Sequence, residues 1–136
     1  MRRGGHRVAI SIVRLGTVRQ PGEGLRIGTV RRPPRGVPKS EYASRDFYDV
    51  WLPTLAPSGE SVKQALTAES AADWGRFVKT YRREMAAADP QAALKLLAAL
   101  SRQTDFSVGC YCEDESRCHR SELRRLLQDH GAVVRP

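Results

Sequence analysis

Residues 106–127 pack three patterns into one short span. An apolar run with Phe106 and Val108 leads into Cys110-Tyr111-Cys112-Glu113-Asp114-Glu115-Ser116-Arg117-Cys118-His119-Arg120-Ser121, and Leu123, Leu126 and Leu127 then recur at helical spacing. This order reads as a strand over Ser107 to Cys112, a loop, and a helix from about Ser116 to Asp129 that Gly131 ends. A strand that runs straight into a helix is the building step of an α/β fold. In such folds the crevice beyond a strand's C-terminal end is the usual ligand site. All three cysteines and one of the three histidines lie in that loop.

The rest of the chain supplies compatible elements. Val8 to Val13 is rich in β-branched residues and reads as a buried strand, and Leu25 to Val30 as a second. Gln20-Pro21-Gly22-Glu23-Gly24 is a turn between them. Arg31 to Lys39 carries four cations among prolines that forbid helix and central strand alike, so it is a stiff loop. Tyr42 to Leu52 is irregular, and Ser61 to Leu66 reads as a short helix. Ser70 to about Ala87 is a helix opened by a capping box of Ser70 and Asp73. Its core face carries Trp74, Phe77, Val78, Tyr81 and Met85. Asp89-Pro90 reads as an N-cap with proline at the first helical position, and Gln91 to Leu100 as the helix that follows. Ala132 to Val134 reads as a final short strand. Strand, helix, strand at this spacing predicts a single α/β domain over 1–136, a small three-layer Rossmann-like fold with a short, mainly parallel sheet.

A chain of 136 residues can bury a core without disulfide staples. No apolar run approaches the ~18 residues that cross a membrane. Met1 to His6 is basic and no signal-peptide core follows, so a cytoplasmic location is expected, with His6 in a disordered terminus. In a reducing compartment an odd cysteine count points to free thiols, a metal site or redox use. The net charge of +8 is unevenly spread: residues 1–45 hold eleven Lys/Arg against Glu23 and Glu41, and residues 46–136 hold twelve against thirteen acids. Basicity confined to the N-terminal third suggests an anionic partner, either a small molecule or a nucleic acid. Nothing in the sequence fixes an oligomeric state.

Four chemistries suit the cysteine loop. An anion site would use the N-terminus of the last helix, Arg117, Arg120 and Ser121, with Arg31 and Arg35 closing from the other loop. Glu113, Asp114 and Glu115 would repel such a ligand. A reactive thiol would be Cys118 or Cys112, with His119 as acid or base. From Cys112 a phosphatase-type loop does not follow, because after five intervening residues stands Cys118, not arginine. Cys110, Cys112, Cys118 and His119 are nominally a zinc set, and a single thiolate could instead hold haem iron. In a strand Cys110 and Cys112 point to one face, but Cys118 and His119 as helical neighbours diverge by ~100°, which argues against all four meeting on one metal. Nucleic-acid binding fits the basic third, but the aromatic residues are not interleaved with the cations. The leading expectation is a phosphate- or nucleotide-containing ligand bound between loops 112–121 and 31–36, with thiol chemistry and with catalysis left open. The alternatives are a thiolate-held haem or metal, and a nucleic-acid-associated protein.

Three stretches together resemble a known family. They are Arg26 to Val37 (Arg-Ile-Gly-Thr-Val-Arg-Arg-Pro-Pro-Arg-Gly-Val), Trp51 and Ser58 followed by the helix with Trp74, Phe77 and Tyr81, and Cys118-His119-Arg120-Ser121. In that order they resemble the YeaO-like family of small bacterial proteins, domain of unknown function 488, in its branch with a Cys-x-Cys…Cys-His-Arg loop. Val30 or Thr29 stands where that family usually has Asp, and Pro33 where it has Trp. The resemblance implies a compact α/β fold and no established activity. It singles out His119, Arg31 and Arg35 for any family-wide role and leaves the thiols to the branch.

Overall fold

The computed structural model describes residues 7–136, so the reading of Met1 to His6 lies outside the described residues. The elements are β1 (Ile10–Arg14), β2 (Leu25–Gly28), β3 (Val50–Trp51), α1 (Gly59–Thr67), α2 (Ala71–Met85), α3 (Ala88–Leu100), β4 (Phe106–Cys110) and α4 (Arg120–Asp129). The strands form one sheet in the order β1-β4-β2-β3, and every pairing is parallel. β4 therefore lies between β1 and β2, and all five of its residues are buried. Its register sets Cys110 beside Arg14 and Gly109 beside Gly28, while Gly28 also pairs with Trp51. Because the strands are parallel, their C-terminal ends share one edge of the sheet, and the cysteine loop leaves from the middle of it. The small α/β fold with a parallel sheet is the one the sequence predicts.

Alternation along the strands divides the sheet into two unlike faces. Ile10, Ile27, Phe106 and Val108 join one apolar core with Phe77, Tyr81 and Met85 of α2, Leu94 and Leu97 of α3, and Leu123, Leu126 and Leu127 of α4. Helices cover that face only. On the other face Arg26, 1% exposed, donates to Glu23 Oε1 at 2.8 Å and to the carbonyls of Thr17 at 2.8 Å and Asp46 at 2.6 Å. Asp49 accepts from the Arg26 amide and from Arg19, each at 2.8 Å. The expected third layer is thus made of loops. Residues 15–24 are too few and too rich in Gly and Pro to supply a helix. A β-carbon on Gly28 would lie 2.4 Å from Tyr48, so only glycine lets that ring close down on the sheet.

The boundaries depart from expectation at several places, among them β4, which ends at Cys110 and not Cys112. α3 begins at Ala88 with Ala87 as its cap, so Asp89 is not the cap. Pro90 falls in the first turn, where its missing N–H breaks no bond. β3 was hidden in the irregular stretch before Pro53. Val134 makes a lone parallel bridge to Ile10 in place of a last strand. α4 starts at Arg120, not Ser116; before it Glu115–Arg117 forms a 3₁₀ turn capped by the Asp114 carboxylate. Ser70 caps α2 as expected, with the Asp73 amide donating to Ser70 Oγ at 3.1 Å, but the Asp73 carboxylate accepts from the Glu69 amide at 3.0 Å and not from the Ser70 amide. No helix among the described residues is long and apolar enough to cross a membrane.

Removing one partner of a buried ion pair leaves the other charge uncompensated. Arg26→Ala is expected to cost roughly 3–5 kcal/mol in urea unfolding. A cost below about 1 kcal/mol would show that the Glu23 pair does not hold this face.

Candidate functional site

β4 ends at Cys110, which is buried beneath the loop that follows. Tyr111 is half-buried and donates its hydroxyl to the Arg32 carbonyl at 2.8 Å. Cys112 then emerges into solvent. After the 3₁₀ turn the chain runs extended through Cys118, 2% exposed, and reaches His119 at the N-cap of α4. The three Sγ atoms lie within 4.8 Å of one another, with Cys110 and Cys112 3.6 Å apart. The sequence spacing argued only against Cys110, Cys112, Cys118 and His119 all meeting; the three sulfurs do gather, with β4 ending at Cys110 and α4 starting after Cys118.

His119 is not a fourth member of the sulfur group. Its Nε2 is 2.8 Å from the Thr29 carbonyl oxygen, and a carbonyl only accepts, so Nε2 carries a proton. In the neutral ring Nδ1 is then an acceptor, and it faces Cys118 Sγ at 3.7 Å. The edge of Tyr81 packs against the ring at 5.6 Å between centroids. His119 is thus oriented by the Thr29 carbonyl with its free ring nitrogen toward the Cys118 sulfur. Nothing in the sequence marks Thr29 for this, since its contribution is a main-chain carbonyl.

The sulfurs share charge unequally. The Cys112 thiol is pulled well below the usual range, because the Cys110 and Cys118 thiols donate to its sulfur and Arg120 is nearby. Cys110 is pushed far up by the same bonds to Cys112 and Cys118 and by burial. Cys118 is drawn down by the Cys110 thiol and by His119, against the Cys112 sulfur, which pushes it up. Three sulfurs this close hold one negative charge more readily than two, and the exposed Cys112 is where water and Arg120 stabilise it.

The sulfurs form one wall of a cavity of about 250 Å³ that also reaches His119, Arg31, Arg32 and Arg117. Val30, Val62, Ala65, Leu66 and Phe77 make the rest of its lining mostly apolar. Of the expected cations, Arg31 and Arg117 are on this cavity. Arg31 lies over Gly59 at the start of α1. Arg117 stacks on Trp74 at 5.4 Å and bonds the Ala68 carbonyl at 3.4 Å. Arg35 is elsewhere: it lines the neighbouring groove, and Arg32 takes its place here. Arg120 is buried and donates to the Cys112 carbonyl at 2.6 Å, which makes it a loop anchor. Ser121 turns its hydroxyl back to the Cys118 carbonyl at 3.0 Å. Two of the three loop carboxylates are absorbed, Asp114 as a cap and Glu115 in a two-bond pair with Arg124 at 2.7 and 3.1 Å. The expected repulsion of an anion is accordingly weakened. Arg31 and Arg32 have no ion-pair partner among the described residues.

The thiolate is the nucleophile, so a depressed pKa extends fast alkylation to pH values below the ordinary thiol range of about 8.5. Mass-spectrometric mapping with iodoacetamide at pH 6 should find Cys112 modified first, with the rate falling only at still lower pH. Arg120→Gln should move that fall upward in pH. Uniformly slow reaction of all three thiols below pH 8 would contradict the charge assignment.

With this geometry in hand, comparison with known proteins adds one finding. The family model described as the active DUF488-N3 subclade matches residues 10–131, from the first residue of β1 to just past α4. Neither the curated proteins nor the solved structures give a match. The matched span includes both loops of the cavity and every sulfur. The chain belongs to the DUF488 family, the YeaO-like family that its three sequence stretches resemble.

Proposed function

We propose that the cavity binds a small ligand with an anionic end and an apolar body, and that Cys112 attacks it as a thiolate. The observation that carries this reading is the convergence of three thiols on a mostly apolar cavity rimmed by the guanidiniums of Arg31 and Arg32, which have no ion-pair partner among the described residues. Arginine suits the anionic end because its fork makes two charge-assisted bonds at once. The apolar lining strengthens those bonds by excluding water. Attack by Cys112 forms a bond from sulfur to an electrophilic atom of the ligand. The bond from that atom to its leaving group breaks, and the electron pair departs with the leaving group. The Cys118–His119 pair is placed to supply the proton that the leaving group takes up. Water then completes the cycle: its oxygen bonds that atom as the bond to the Cys112 sulfur breaks, and the thiolate is regenerated. The family description's word "active" is in keeping with a working centre.

A second reading has its own support. Three sulfurs within 4.8 Å form a soft ligand set that suits a thiophilic metal ion better than haem, which needs one. A cavity of about 250 Å³ is also below the ~300 Å³ at which drug-sized pockets begin.

Phenyl phosphate tests the first reading. It should protect Cys112 from iodoacetamide better than inorganic phosphate does. Arg31→Gln combined with Arg32→Gln should weaken that protection at least ~10-fold, the scale of losing charge-assisted bonds. Unchanged protection in the double variant would overturn the assignment. Stoichiometric metal in protein purified without chelator, lost in Cys112→Ser, would move the site to the second reading.

A further inference from the structure

We infer that the substrate carries a nucleotide, whose base and phosphate occupy the groove next to the thiol cavity. This rests on the cavity being the reacting centre and names the class of molecule that reaches it. The groove, about 380 Å³, is lined by Arg32, Pro33, Pro34, Arg35, Phe47 and Tyr111. Arg32 and Tyr111 also line the thiol cavity, so the two spaces share a wall. Phe47 and Tyr111 meet edge to face at 6.3 Å, so two aromatic rings share a groove with Arg32 and Arg35. Neither Arg32 nor Arg35 has an ion-pair partner among the described residues. The prolines hold the loop between them stiff, so little entropy is lost when a ligand settles there.

Along the sequence these cations have no aromatic neighbours. Folding supplies them: Phe47 comes from the segment before β3 and Tyr111 from between two of the cysteines. Cations next to aromatic faces are the recurring means of holding a phosphate and a base together. A carboxylate-bearing peptide would need the cations and have no use for the rings. The group to be transferred extends from the nucleotide past Arg32 and Tyr111 to Cys112.

The test uses the full chain and fluorescence anisotropy of a short labelled single-stranded oligodeoxynucleotide, with unlabelled competitors. A nucleoside monophosphate should compete about tenfold better than ribose 5-phosphate, the scale of one stacked base. Arg32→Gln with Arg35→Gln should weaken both competitors, and Phe47→Leu only the nucleotide. Nucleoside monophosphate should also slow alkylation of Cys112 in the unaltered protein, a readout that needs no variant to fold. Tighter binding of the oligonucleotide than of the monophosphate would assign a polynucleotide substrate, and equal binding a free nucleotide; both support the proposal. Equal competition by ribose 5-phosphate, by inorganic phosphate or by polyglutamate would overturn it, as would unchanged binding in the arginine double variant. Cys112→Ser should retain nucleotide binding. Slow alkylation of Cys112 without ligand therefore marks failure of the thiol reading, separately from failure here.

Discussion

The buried pair of Arg26 and Glu23 is the constraint on which the helix-free face of the sheet depends. A parallel sheet is ordinarily covered on both faces by helices. Here one cover is loop, and a guanidinium holds it by bonding two loop carbonyls and one carboxylate at once. Burial alone would push Glu23 up, yet the Arg26 bond and the Gln20 amide bring its carboxyl below the ordinary value. A carboxylate lowered in this way contributes stability above its unfolded pKa, and that contribution is lost as pH falls through the folded one. The same guanidinium binds the Asp46 carbonyl, so it also fixes the segment that carries Phe47 and Tyr48. Tyr48 closes over Gly28, and Phe47 lines the groove. A buried ion pair thus anchors the segment that forms one wall of the candidate binding surface.

The sulfur cluster follows from where β4 stops. A strand carried through Cys112 would place Cys110 and Cys112 about two residue rises apart on one side, and Cys118 would belong to a separate helix. Release after Cys110 lets Tyr111 turn outward to Arg32 and lets Cys112 fold back to 3.6 Å from Cys110. Arg120 then clamps the Cys112 carbonyl, and its charge favours the thiolate. The cluster is accordingly an end-of-strand device. It needs the loop to be irregular, and the two absorbed carboxylates, Asp114 and Glu115, are what hold that irregular loop in shape.

Local pattern made most elements legible. Periodicity marked α2, with Phe77, Tyr81 and Met85 on its buried side, and β-branched runs marked β1 and β2. β3 escaped because two residues paired at a sheet edge leave no alternation to see. The start of α4 was placed at Ser116, whereas Asp114 caps a separate 3₁₀ turn there and α4 begins at Arg120. At the site, residue types were legible and their arrangement was not. Which cysteines meet depends on a loop conformation that has no period. The exchange of Arg35 for Arg32 depends on how one stiff loop is aimed. The orientation of His119 depends on a carbonyl that any residue at position 29 would present.

Tyr111 is the residue that joins recognition to chemistry. It stands between the two cysteines that touch, and its hydroxyl bonds the backbone of Arg32. Burial pushes its phenol up, so it stays a neutral donor and keeps that bond across the working pH range. Its ring is the partition between the groove and the thiol cavity. Under the proposed function, a nucleotide in the groove rests on the ring of the residue whose backbone joins Cys110 to Cys112, so one side chain borders both the recognition surface and the sulfurs.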